Sequence, residues 1–144
     1  MKDPLKININ PLHEDIKVYA VVYYLSRGEK ISGIELRKFA AELMNAISKS
    51  CIKFGAKVIG HIKAYIEHET GFLHANTIGE PADVTVNGRD GDPINRFKLV
   101  VNSIIYGLPE ESIKEATEEA IKAVSSIFRF DREMESQTTT ISSI

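Results

Sequence analysis

Lys57-Val58-Ile59-Gly60-His61-Ile62-Lys63-Ala64-Tyr65-Ile66-Glu67-His68-Glu69-Thr70-Gly71-Phe72-Leu73-His74-Ala75-Asn76-Thr77-Ile78 is the stretch on which the fold turns. Side chains of a β-strand alternate between two faces. Val58, Gly60, Ile62, Ala64 and Ile66 thus share one face, and Ile59, His61, Lys63, Tyr65 and Glu67 share the other. His68-Glu69-Thr70-Gly71 has turn chemistry, and Phe72 to Ile78 reads as the return strand of a hairpin. With an even-length loop, residues whose numbers sum to an odd value face each other. His61, Lys63 and Tyr65 then lie beside His74 and Asn76, while Ile62, Ala64, Ile66, Leu73 and Ala75 form an apolar reverse face suited to packing on helices. An odd loop would scatter the polar set.

The flanks supply the helices. Ser32-Gly33-Ile34-Glu35 is a capping box, in which the serine hydroxyl and the glutamate satisfy each other's backbone N–H groups. Leu36, Phe39, Ala40, Leu43, Ile47, Ser50, Cys51 and Phe54 follow at helical spacing, and Gly55 fits the left-handed stop. A last helix starts around Pro109, with Glu110 and Glu111 at its positive end. Its apolar stripe reads Ile113, Ala116, Thr117, Ala120, Val124, Ile127 and Phe128.

Residues 11–26 fit two patterns. Asn10-Pro11, the acidic Glu14 and Asp15, and the spacing of Leu12, Ile16, Ala20 and Tyr23 favour a helix. Val18-Tyr19-Ala20-Val21-Val22-Tyr23-Tyr24 is rich in β-formers and favours a strand. The capping signals tip the expectation to helix. Residues 82–86 read as a short strand, Asn87-Gly88 opens a polar loop through Arg96, and Phe97 to Tyr106 is a strand apolar on nearly both faces. The expected fold is a two-layer α+β domain over 11–132: an antiparallel sheet of about four strands with helices on one face. Residues 1–10 are expected to be a loosely ordered N-terminus, and 133–144 a flexible Ser/Thr-rich tail.

Composition narrows the function. The chain has 144 residues, 43% apolar and 26% charged, which is ordinary for one globular domain. Its 18 basic and 20 acidic residues give a net charge of −2, against a nucleic-acid binder, which usually carries a basic excess. The start lacks the apolar core of a signal peptide, and no apolar run reaches the ~20 residues of a spanning helix, so a cytoplasmic protein is expected. The single cysteine, Cys51, lies on an apolar stripe and reads as a buried, inert thiol.

No Gly-x-x-x-x-Gly-Lys-Ser/Thr phosphate loop, Gly-x-Gly-x-x-Gly fingerprint, His-Glu-x-x-His, Gly-x-Ser-x-Gly or Cys-x-x-Cys occurs. His61 and His74 would stand about 13 Å apart along the hairpin, too far to share an ion, so no metal is expected. Asp90, Asp92 and Asn95 suggest a calcium loop but lack the closing glutamate. The best polar constellation is His61, Lys63, Tyr65, His74 and Asn76. Asn102 joins it if Lys98, Val100, Asn102, Ile104 and Tyr106 face away from the helices. Such a set suits an anionic ligand or proton exchange. The plainer alternative is a sheet face that a second subunit covers, with Val100, Ile104 and Tyr65 as anchors.

The stretch from Ser32 through Ala123 resembles the C-terminal domain of CobW-type GTPases, the metallochaperone and cobalamin-associated family. Phe54-Gly55-Ala56-Lys57-Val58, Ile59-Gly60-His61-Ile62-Lys63, Gly71-Phe72-Leu73-His74-Ala75 and Gly107-Leu108-Pro109-Glu110-Glu111 carry the resemblance. The GTPase domain's phosphate loop and Cys-x-Cys-Cys-type metal motif are absent from this sequence. The resemblance therefore implies an accessory domain that contacts a partner, of GTPase type, without activity or cofactor of its own. Residues and resemblance together predict a non-enzymatic binding or assembly module that self-associates through its open sheet face. The competing expectation is a small-molecule-binding enzyme or sensor using the hairpin's polar residues.

Overall fold

The hairpin forms with the even loop. In the computed structural model, which describes residues 16–80 and 83–133, β2 (Val58–His68) and β3 (Gly71–Thr77) flank the turn Glu69-Thr70. Tyr65 stands opposite His74 and Lys63 opposite Asn76. The remaining elements are β1 (Ile16–Ile31), α1 (Gly33–Lys53), β4 (Thr85–Arg89), β5 (Ile94–Tyr106), α2 (Glu110–Phe128) and β6 (Asp131–Arg132). The strands form one sheet in the order β4-β3-β2-β5-β1-β6, with every neighbouring pair antiparallel.

The helix expected over 11–26 is a strand where it falls within the described residues. β1 pairs with β5 from Ile16 opposite Tyr106 to Ser26 opposite Arg96 without a break. The helical spacing misleads because Ala20, on its apolar stripe, is exposed, whereas Tyr19, Tyr23 and Leu25 turn inward with a period of two. The sheet consequently has six strands rather than about four: β1 and the two-residue β6 are the additions. β4 begins later than expected, so Asn87 and Gly88 lie within it rather than in a loop. The N-terminal segment 1–10 and residues 134–144 of the Ser/Thr-rich tail lie outside the described residues.

One glycine resets the hairpin's alternation. The pairing of β2 with β5 shifts between Ile59 and His61, leaving Gly60 as the extra residue of a bulge. A Cβ on Gly60 would come within 2.9 Å of the Ile104 carbonyl oxygen and of the Tyr106 ring. Ile59 is thereby turned into the core, while Val58 is 52% exposed, the reverse of strict alternation.

The core lies on one face of the sheet. Tyr23 and Leu25 of β1, Ile62, Ala64 and Ile66 of β2, Leu73 and Ala75 of β3, and Leu99, Val101 and Ile105 of β5 are buried together with the inward-facing apolar residues of both helices. Phe39 of α1 is its hub, edge-on to Phe97, Phe128 and Phe130 at centroid distances of 5.7, 5.6 and 5.0 Å. The capping box forms as read: Glu35 N–H donates to Ser32 Oγ at 3.1 Å, and Ser32 N–H donates to Glu35 Oε1. On α2 the stripe runs through Ile113, Ala116, Thr117 and Ala120, then drifts to Ile121, Val124 and Ser125. Ile127, expected on it, is left exposed.

Candidate functional site

The reverse face of the sheet carries the candidate residues. Sheet order lines their side chains up in cross-strand rows. One row runs Ala20, Asn102, Lys63, Asn76 and Thr85 across β1, β5, β2, β3 and β4. The next runs Val22, Val100, Tyr65, His74 and Asn87. Val18 and Ile104 continue the face on the other side of the polar row, with His61 opposite Ile104.

Five of the six residues singled out in the sequence therefore meet. Lys63, Tyr65, His74, Asn76 and Asn102 line one groove of about 260 Å³. Lys63 is flanked by Asn76 on one side and Asn102 on the other. Tyr65 and His74 are in ring contact at 4.7 Å between centroids, and Phe72 closes an aromatic cluster 5.6 Å from His74. His61 is the exception: it stands beyond Lys63 against Ile104, outside the groove. The groove offers a cation, an imidazole, a phenol and two amides, enough to bind a polar or anionic group.

The apolar part of the face lies toward β1. Val18 is 61% exposed and Ile104 38%, and both sit beside the polar row. Polar and apolar strips thus alternate on a surface that neither helix touches.

A second cleft, of about 390 Å³, opens at the end of the sheet between Tyr24, Lys30, Glu67, His68, Arg96 and Lys98. His68 accepts the Thr70 N–H at Nδ1 (3.3 Å), and its buried Nε2 has no hydrogen-bond partner. Burial pushes the His68 pKa below its ordinary value against the pull of Asp90 and Glu69. The sequence placed His68 in a turn, and nothing in it brings residues from three separate strands to one cleft.

Asp90 and Asn95 of the suggested calcium loop have structural work. Asp90 accepts from Arg37 Nε at 2.6 Å, and Asn95 Nδ2 donates to the carbonyl oxygens of Arg27 and Gly28. Among the described residues, no group of three or more His, Cys, Asp or Glu is arranged to hold a metal ion. None of the described helices is long and apolar enough to cross a membrane. Cys51 is fully buried, and burial alone pushes its thiol up to about 11.

No protein-family model and no curated protein matches the sequence. Among solved structures, the chain is similar to the Zn(II)-bound YjiA GTPase from E. coli, at 16% identity and a TM-score of 0.40. A Zn(II)-bound triple mutant of YjiA matches at 16% identity and a TM-score of 0.39. Each match covers 74% of this chain and 30% of the other, so the chain spans less than a third of the length of those structures.

Proposed function

We propose that the chain is a non-enzymatic, cytoplasmic assembly module whose bare sheet face is covered by a second copy of itself. One observation supports this above the others. A six-stranded sheet has its core on one side, and on the other shows exposed Val18 and Ile104 beside a polar row. Apolar strips on either side of a row of amides and a lysine give the mixed make-up of a non-obligate interface. Lys63, Tyr65 and His74 would lie at its centre.

The test uses the inertness of Cys51. In an Asn102→Cys variant the introduced thiol is the reactive one, and it reports on the centre of the face. Its labelling by a charged maleimide should slow as protein concentration rises, and Ile104→Glu should abolish that protection. Labelling independent of concentration rejects the reading.

The groove favours a second reading, a small-molecule sensor or enzyme. A polar or anionic ligand would then sit between Lys63, His74 and Asn102. Ligand-screen NMR showing shifts confined to these residues, in protein that remains monomeric, would favour it. A GTPase-type partner, which the resemblance implies, would instead protect the Asn102→Cys thiol only when added.

A further inference from the structure

β6 protects only the end of β1. It pairs with Leu25 and Ser26, and the Glu133 N–H donates to the Tyr24 carbonyl oxygen at 2.8 Å. That bond fixes the orientation of the outer edge. In a strand, the N–H and C=O of one residue point to the same side, and successive residues alternate. Tyr24 directs its groups outward, and the register from Ile16 to Ser26 has no bulge. Val18, Ala20 and Val22 therefore also present their N–H and C=O outward, while Tyr19, Val21 and Tyr23 bond to β5. Among the described residues nothing pairs with these outward groups. The side chains of Val18 and Ala20 beside them are exposed.

From Val18 to Val22 the described residues give this edge none of the usual protection. Val18-Tyr19-Ala20-Val21-Val22-Tyr23-Tyr24 contains no charge, proline or glycine, and it is rich in β-formers. Long, flat, apolar edges with free backbone groups are templates for another strand, and monomeric proteins block them with lysine, proline or bulges.

We infer that the outer edge of β1 pairs antiparallel with β1 of a second copy about a two-fold axis at Ala20. This goes beyond the face-covering reading, because it rests on backbone groups at the edge rather than on side chains of the face. A two-fold at Ala20 sets Val18 opposite Val22 and Ala20 opposite itself. Every outward N–H then meets an outward C=O. The outward groups that β6 leaves open, those of Val18, Ala20 and Val22, are centred on Ala20, so all three residues are used, while Tyr24 stays bonded to Glu133 of its own chain. Lys17 falls opposite Tyr23, so no like charges meet. The smallest side chain of the run lies on the axis. The product is one continuous sheet with both bare faces on the same side.

Sedimentation equilibrium and hydrogen exchange on the full chain test this together. The wild type should dimerise, and the amides of Val18, Ala20 and Val22 should gain protection as concentration rises, while those of Val21 and Tyr23 stay protected throughout. Ala20→Pro removes an outward donor without touching the β5 ladder. It should raise the dimer dissociation constant by at least about tenfold, with the far-UV spectrum unchanged. Ile104→Glu, on the face, should leave this pairing intact. Dimerisation lost in Ile104→Glu but kept in Ala20→Pro overturns the edge pairing and leaves the face reading standing. The opposite pattern upholds the edge pairing and removes the face. A monomer that dimerises only when residues 134–144 are deleted would assign the edge to the chain's own C-terminus and overturn the proposal.

Discussion

Arg27 and Glu35 form a two-pronged ion pair, Nη1 to Oε2 at 3.0 Å and Nη2 to Oε1 at 2.9 Å, that ties the end of β1 to the first turn of α1. The guanidinium is buried at 8% exposure and also donates to the carbonyl oxygens of Glu29, Lys30 and Phe128. The last of these is at the C-terminal end of α2, where a cation suits the helix dipole. One side chain therefore joins a strand and both helices. Arg27→Met strips donors from several part-buried acceptors at once. It should lower the unfolding free energy by about 3 kcal/mol in urea melts. A loss below about 1 kcal/mol would show that water replaces the arginine without penalty.

The same pair sets an acid limb of stability. Hydrogen bonds from Arg27, then from the Ser32 N–H, hold the Glu35 carboxyl below the usual glutamate range despite some burial. A carboxyl depressed in the folded state stabilises the fold above its unfolded value of about 4.3, and this is lost as pH falls through the folded value. The urea midpoint of the wild type should fall on acidification through that window, and the fall should be shallower in Glu35→Gln. Parallel curves for the two proteins would mean that other carboxylates carry the acid limb.

Helix α2 separates a residue that packs from one that only looks as if it does. Ile121 is 1% exposed and Ile127 66%. Ile121→Ala should cost about 2–4 kcal/mol by the cavity it leaves, and Ile127→Ser should stay within about 0.5 kcal/mol of wild type. Equal effects would mean that the last turn of α2 packs more tightly in solution.

Ile127 also marks how far the sequence could be read. Its spacing from Ala120 and Val124 is helical, but where a stripe drifts depends on how the helix lies across the sheet, which local spacing does not contain. The hairpin was legible because one chain segment holds both strands: Tyr65 beside His74 and Lys63 beside Asn76 follow from the position of the turn and its even length. Asn102 beside Lys63 needed the knowledge that β5 lies next to β2, a contact between distant parts of the chain. β1 was misread because Ile16, Ala20 and Tyr23 satisfy a helical period, while the ladder to β5 that decides the matter is again non-local. β6 is two residues long and held by its neighbour, with no periodicity to detect.

Gly88 shows how closely β4 is fitted to β3. It sits within the strand at φ +148°, a region side chains rarely adopt, and an added Cβ would run into the carbonyl oxygen of Phe72. Phe72 stands in the aromatic cluster with Tyr65 and His74, so strain there reaches the candidate groove. Gly88→Ala should destabilise the protein by about 2 kcal/mol. It should also shift the NMR resonances of Phe72 and His74 while leaving those of Asn102, three strands from Gly88, in place. An unchanged melting temperature would show that β4 can peel from β3 without consequence for the fold. The groove would then rest on β2, β3 and β5 alone.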